Sequence, residues 1–294
     1  MKYLSLVFLI VLLVVETTFG ILDKEDYLTK VHDMWKTLDS IVLENNYGCT
    51  DKNPVYHKKS VCAGHGDRFN PFSFGHIRPV QVTTHYEYLQ KIKGNNMIVC
   101  EIGMNGGHSS ASILLYNDNI NLVSIDVREW KYTAPVTSYL SNTFGDRFIP
   151  ITESSFVAVP DYVNKKPKTC DIVFVDGLHT YEAVIKDFTN LYNGAMKDEH
   201  YLFIDDLHMP QVEKAVKEWV SSGKMKIIEE KSFRGDTDEA CFRLWKKKAK
   251  FIRKNPKYIT LAEVSEGYHS PRTCLIDEKD IGFKFAVATF VHPQ

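Results

Sequence analysis

Beyond its first twenty residues, this 294-residue sequence lacks any apolar run near the roughly 20 residues that a bilayer-spanning helix needs. It also lacks charge of one sign. Its 36 Lys and Arg offset 37 Asp and Glu, for a formal net charge of −1. That balance gives no ground for nucleic acid as a general partner. The one basic cluster, Arg243 to Lys257, is local and reads as a solvated surface. No Asn-x-Ser/Thr sequon occurs, so N-glycosylation is not expected. The Gly-x-Gly-x-x-Gly fingerprint of a dinucleotide-dependent dehydrogenase is missing as well, which argues against an NAD-linked oxidoreductase.

What is present starts at the N-terminus. Lys2 precedes a nearly all-apolar run from Tyr3 to Val15, and Thr18-Phe19-Gly20 follows with small residues. This pattern predicts a secretory signal peptide over residues 1–20, with secretion or residence in the ER or Golgi lumen. An anchor is the weaker reading, because the run is short. An oxidising route gives the six cysteines a context. Cys49 and Cys62 bracket a polar loop and are disulfide candidates, and Cys241 and Cys274 are a second pair. Cys100 and Cys170 sit in or beside expected core strands and read as buried free thiols.

The periodicity then organises the chain. Leu28, Val31, Met34, Leu38 and Ile41 mark an amphipathic helix over 23–44, outside the sheet. A Gly-, Pro-, Phe- and His-rich loop occupies 63–80. Thr84 and Glu87 read as a capping box that opens a short helix to about Lys93. Strands are expected at 97–102, 121–126, 147–152, 171–176, 201–205, 226–232 and 240–245. The last two are joined by the short link 234–238 as a hairpin. Helices are expected at 109–116, 131–142, 181–192 and 210–220. This alternation predicts an α/β fold: a doubly wound, mostly parallel seven-stranded sheet with an antiparallel edge. It divides the chain into a signal segment (1–20), an N-terminal helical and loop extension (21–95), a catalytic domain (96–248) and a C-terminal extension (249–294), which shows no repeat and no clear period.

The most informative segment is Val99-Cys100-Glu101-Ile102-Gly103-Met104-Asn105-Gly106-Gly107-His108-Ser109. An apolar strand ends in a carboxylate, a glycine-rich turn follows, and a helix begins. That is where an open α/β sheet binds a nucleotide-like cofactor. Here the acid precedes the first glycine. A pyrophosphate would be repelled there, whereas a cationic sulfonium bearing an amino group would be welcome. Asp126, at the end of the second strand, is placed for ribose hydroxyls.

The pattern Glu101-x-Gly103-x-x-x-Gly107-x-Ser109 resembles motif I of class I S-adenosylmethionine-dependent methyltransferases, in particular small-molecule O-methyltransferases of the catechol and caffeoyl-coenzyme A type. The stretch Val175-Asp176-Gly177-Leu178-His179-Thr180-Tyr181-Glu182-Ala183 is similar to the macrolide-sugar O-methyltransferases. The resemblance implies a Rossmann-like methyltransferase sheet with S-adenosylmethionine as cofactor. Glu101, Gly103, Gly107 and Ser109 would hold its methionine part, Asp126 its ribose, and Ser154 would lie near its adenine. An ordinary helix cap is an equal reading for Ser154.

Asp176 ends one expected strand and Asp205-Asp206 end its neighbour. Carboxylates brought together at one sheet edge repel unless a cation separates them. Oxygen ligands favour a hard divalent ion, Mg²⁺ above all, with Mn²⁺ or Ca²⁺ as alternatives. The resemblance implies the same three positions as metal ligands and His179 as the general base. Helix capping by the Asp residues and a structural role for His179 are the plainer alternatives, and His208 is a weaker candidate. The function expected is metal-assisted O-methylation of a hydroxylated small molecule. A secreted, non-catalytic binding or scaffold protein with the same fold is the alternative. No nucleic-acid partner and no stable membrane span after signal removal are expected. Homo-oligomer formation is left open.

Overall fold

The computed structural model describes residues 22–47, 77, 79–92, 94, 96–233 and 283–292. The signal segment, Cys49, Cys62, Cys241, Cys274, nearly all of loop 63–80 and the strand expected at 240–245 lie outside them. Seven strands form the sheet: β1 Met97–Ile102, β2 Ile120–Asp126, β3 Phe148–Thr152, β4 Cys170–Val175, β5 Met196–Ile204, β6 Met225–Phe233 and β7 Phe283–Phe290. Their order is β3-β2-β1-β4-β5-β7-β6. The first five pair in parallel, and β7 runs antiparallel between β5 and β6. The strand order reverses between β1 and β4, the point at which open α/β sheets leave a crevice.

The strand expected at 240–245 is not tested, because it lies outside the described residues, but the sheet gains a strand that was not expected. The sheet is completed by Phe283–Phe290, from the stretch read as a C-terminal extension. Among the described residues β7 supplies the antiparallel pairing at that edge as the second strand in, and β6 is the outermost strand.

Buried parallel strands read as apolar runs, and their alternate residues supply two cores. Val99, Ile172, Phe174, Phe203 and Val287 face one way. They meet the helices α1 Lys24–Tyr47, α2 Pro79–Leu89, α3 His108–Tyr116 and α4 Thr133–Phe144. Cys100, Ile102, Val173, Leu202 and Ala286 face the other way. There they meet α5 Ser155–Lys165, α6 Tyr181–Asn190 and α7 Pro210–Ser221. Among the described residues no helix is long and apolar enough to cross a membrane.

α1 packs outside the sheet as its periodicity suggests. Tyr27 Oη donates to the Ser112 carbonyl and Trp35 Nε1 to that of His108, each at 3.0 Å, so α1 docks on α3. α2 begins five residues before the expected cap. Pro79 occupies its first turn, where the missing N–H costs nothing. Thr84 is therefore inside the helix and buried, and it accepts from Lys231 Nζ at 3.0 Å. α5 was not among the expected helices. The two thiols expected to be free are joined: Cys100 and Cys170 form a disulfide between the adjacent strands β1 and β4, with Cα atoms 5.8 Å apart. Both cysteines are buried, as expected. Their 70-residue separation hides the pairing until the strands are placed side by side.

Candidate active site at the carboxyl edge of the sheet

β1 ends at the strand-order reversal, and its last polar residue is Glu101, which has no exposed surface. Three hydroxyls surround the carboxylate. Ser109 donates to Oε1, and Ser110 and Ser124 donate to Oε2. Burial still dominates and pushes the Glu101 carboxyl up to about 7, against the serine hydrogen bonds. Ser110 and Ser124 were not singled out from the sequence. Ser124 carries a signal in hindsight: it is a polar residue in the apolar run of β2, directly opposite Glu101.

The turn after β1 is shaped by two glycines. Gly103 has φ +90°, and a Cβ there would stand 1.9 Å from the Asp176 carbonyl oxygen. No side chain fits where β1 and β4 close together. Gly107, at φ +77°, caps α3, and a Cβ would press within 2.6 Å of Val136. Asp126, just beyond the crevice, holds this turn. Its Oδ2 accepts the N–H groups of Met104 at 3.0 Å and Asn105 at 2.9 Å, and its Oδ1 accepts that of Arg128 at 2.6 Å. Ser154 caps α5, with its Oγ accepting the Phe156 N–H at 3.3 Å.

The second half of the site lies past β4 and β5. Asp176 and Asp205 each follow the last residue of their strand. Asp206 adopts φ +51°, a left-handed conformation that Asp tolerates better than most residues. His179 Nε2 lies 3.3 Å from Asp176 Oδ1 and 3.0 Å from Asp206 Oδ2. One ligand atom from each of Asp176, His179 and Asp206 falls within 4.8 Å of the others. Asp205 is held to one side. Its Oδ2 accepts from Gln81 Nε2 of α2 at 2.9 Å, and its Oδ1 accepts the Asp206 N–H at 2.8 Å. The trio that gathers therefore contains His179, where the expected ligand set had Asp205. His208 Nδ1 lies 3.7 Å from Asp206 Oδ1, at the margin of the cluster.

The electrostatics follow from crowding. Burial first, then the charge of Asp206, pushes Asp176 up to about 6, with His179 opposing. Burial, Asp176 and Asp206 hold Asp205 well above the ordinary carboxylate value. The hydrogen bond to Asp176 raises the pKa of His179. A narrow open cleft joins the two halves, with Glu101, Gly103 and Ser109 on one side and Asp176 and Asp205 on the other. Gln81 and His85 of α2 and the rings of Phe174 and Phe203 complete its wall. None of these four was picked out from the sequence.

The span from β1 to α7 is the part of the chain that a family model matches. Residues 100–219 match the family model described as a methyltransferase domain. Over those residues the chain is similar to a methyltransferase domain. Its described sheet is the Rossmann-like methyltransferase arrangement that the motif I resemblance implies. No curated protein matches the sequence. Solved structures similar to the chain include the O-methyltransferase from Bacillus cereus in complex with SAH, at 11% identity and TM-score 0.49, over 74% of this chain and 83% of that one. The O-methyltransferase TomG from Streptomyces achromogenes, involved in tomaymycin synthesis and in complex with SAM, aligns at 12% identity and TM-score 0.48, over 74% and 82%. A SAM-dependent methyltransferase from Geobacter sulfurreducens, in complex with S-adenosyl-L-homocysteine, aligns at 14% identity and TM-score 0.43, over 73% and 92%. Within the matched span, the glycine turn and the acidic cluster stand at neighbouring strand ends.

Proposed function

We propose that this chain is an S-adenosylmethionine-dependent O-methyltransferase that acts on a hydroxylated small molecule with the help of a divalent cation. The observation that carries the reading is the meeting of Asp176, His179 and Asp206 beside the cleft that Glu101, Gly103 and Ser109 enter. A base and a cluster of acids next to a cofactor turn are what proton removal from an acceptor hydroxyl requires.

The residues present fit both groups. Glu101 and Ser109 offer a carboxylate and a hydroxyl on the cleft wall to the methionine part of the cofactor. Asp126 has three backbone N–H partners, which leaves about one of the roughly four acceptor sites of a carboxylate for a ribose hydroxyl. The carboxylates of Asp176 and Asp206 within 4.8 Å suit a hard divalent ion, with Asp205 adding charge beside them, which leaves the His179 imidazole for proton transfer. Mg²⁺ is the expected ion. Bound there, a cation would lower the pKa of an acceptor hydroxyl held beside it.

The chain's own groups then divide the work. With Asp176 and Asp206 engaged by the cation, His179 Nε2, 3.3 and 3.0 Å from their oxygens, would be left to take the hydroxyl proton. S-adenosylmethionine, bound in the glycine turn, would supply the methyl group, the acceptor oxygen gaining a C–O bond as the C–S bond breaks, with S-adenosylhomocysteine as the leaving product. The walls of the cleft exclude water and align the two reactants. Localisation stays with residues 1–20: the protein enters the secretory route. Sequencing the mature N-terminus tests that placement, and an intact Met1 overturns it.

The experiment for the activity is calorimetry with S-adenosylmethionine. It is paired with methyl transfer from labelled cofactor to a panel of catechols, sugars and polyols, with Mg²⁺ or EDTA. Binding with Mg²⁺-dependent transfer is expected. Full transfer in EDTA removes the cation from the reading, and binding without any transfer favours the scaffold alternative.

A further inference from the structure

The segment that carries His179 is tied at its two ends. The Asp176 N–H donates to the Ile102 carbonyl at 2.9 Å, and the Tyr181 N–H donates to Gln211 Oε1 at 2.9 Å. Among the described residues, the N–H groups of Gly177, Leu178 and His179 have no acceptor. His179 meets Asp176 and Asp206 through Nε2. A cation on those carboxylates would take the oxygens that face the ring. Another group must then fix the imidazole, and the ring atom left for it is Nδ1.

Beneath this segment lies an acid with no part in the chemistry above. Asp187, on α6, is 1% exposed. Its Oδ1 accepts from Ser155 Oγ at 2.6 Å, which among the described residues is the one hydrogen bond its side chain makes. Oδ2 lies under Gly177, where an added Cβ would stand 3.4 Å from it. Burial pushes the carboxyl up to about 6 against the Ser155 hydrogen bond, as befits an acid short of donors. A small cavity separates it from the segment above. Gly177, Leu178 and His179 bound the cavity on one side, Val184 and Asp187 on another, and Asp205 closes it toward the acidic edge. A buried carboxylate oxygen without a donor is costly. A water relieves that cost where two or more polar groups surround it, and Asp187, His179 and Asp205 are such groups here.

We propose that Asp187 is a positioning residue for His179 and acts through one water held in this cavity. The water accepts from Nδ1–H of His179 and donates to Asp187 Oδ2. A proton kept on Nδ1 leaves the Nε2 lone pair free for the acceptor hydroxyl. Ser155 ties the same carboxylate to the first turn of α5, so it cannot swing away from the segment. The inference rests on the methyltransferase reading and says how its base is held.

The test uses the full-length protein with Mg²⁺ and isotope-labelled histidine. The ring nitrogen shifts of His179, assigned by their loss in His179→Ala, report its tautomer above its raised pKa. The wild type should hold Nδ1–H. Asp187→Ala should move the ring toward Nε2–H, and Asp187→Asn, which keeps an accepting oxygen, should largely restore Nδ1–H. Ser155→Ala removes a tie and not the acceptor, so the wild-type tautomer should persist. In methyl transfer from labelled S-adenosylmethionine to the catechol, sugar and polyol panel, Asp187→Ala should lower kcat at least about tenfold. Its KM for the cofactor should stay within about threefold. In a His179→Ala background the same change should cost nothing further. An unchanged tautomer in Asp187→Ala overturns the inference. So does an equal kcat loss in Asp187→Ala and Ser155→Ala, the result expected of a plain clamp between α5 and α6. A crystal structure of the wild type needs no variant: a water within hydrogen-bond distance of Asp187 Oδ2 and His179 Nδ1 is expected, and a dry cavity overturns the inference. Failure of the wild type to bind S-adenosylmethionine counts instead against the methyltransferase reading, and the tautomer and the water are read without it.

Discussion

At the glycine turn the carboxylates are satisfied, whereas at the acidic edge they are set against one another. Glu101 is ringed by three serines, and Asp126 accepts three backbone N–H groups. Past β4 and β5, three Asp residues share His179 and Gln81. Both regions place acids at strand ends, Glu101 buried and Asp126, Asp176, Asp205 and Asp206 half-buried. The first has enough donors to fix a shape, and the second lacks positive charge. A region with its donors in place positions a ligand. A region short of a cation binds one or moves a proton.

The sharpest way to break that comparison is to touch one side alone. His179→Ala should lower methyl transfer by at least about 100-fold, the usual range for a lost general base. S-adenosylmethionine affinity by calorimetry should hardly change, because the glycine turn is intact. A parallel loss of cofactor affinity would mean that the two regions are one unit.

Gly103→Ala strikes the joint between them. The added methyl would stand 1.9 Å from the Asp176 backbone oxygen, so β1 and β4 must part at their ends. With φ at +90° adding backbone strain, the cost should be about 3 kcal/mol in denaturant unfolding. Both cofactor binding and transfer should fall. A variant as stable as the wild type would show that the joint is softer than its geometry.

Glu101 separates the regions by pH. Its carboxyl rises from 4.5 in the unfolded chain to about 7 in the native one, so the native state holds a proton that the unfolded state has released. Stability from this group is therefore fully present below pH 4.5, falls as pH rises toward 7, and declines no further above it. The span amounts to about 3 kcal/mol. Glu101→Gln lacks this titration. In cofactor-free protein its thermal midpoint should gain on the wild type between pH 4.5 and 7. A constant difference across that window would mean that the serines have already cancelled the burial cost.

How far the sequence carries such arguments differs by region. β1, β2 and β4 are buried on both faces and read as apolar runs closed by an acid, so the cofactor end was legible. β7 was not. It enters the sheet after the long stretch 234–282, from residues read as a C-terminal extension with no clear period. α5 escaped because Phe156 and Val157 are exposed while Ala158 and Val159 are buried, so hydrophobicity and burial disagree along it. At the site, the acids were visible but their grouping was not. Gln81 draws Asp205 aside, and the left-handed turn at Asp206 leaves His179 in the gap. His85 did carry a signal. It shares the apolar stripe of α2 with Val82 and Leu89, where a polar residue is out of place.

The smallest prediction decides which region Ser154 serves. The resemblance would put it near the adenine, as an outlying part of the cofactor side. The structure has its Oγ on the Phe156 N–H, as the cap of α5. Losing a cap of this kind costs about 1 kcal/mol, which in a domain of this size lowers Tm by about 2–4 °C. Ser154→Ala should show that drop, and Ser154→Asp, which keeps a capping oxygen, should restore Tm. If capping is the whole role, S-adenosylmethionine affinity in the Ala variant matches the wild type once measured well below Tm. A weaker affinity in Ser154→Ala at unchanged Tm would move Ser154 to the cofactor side, and the glycine-turn region would then extend across β3.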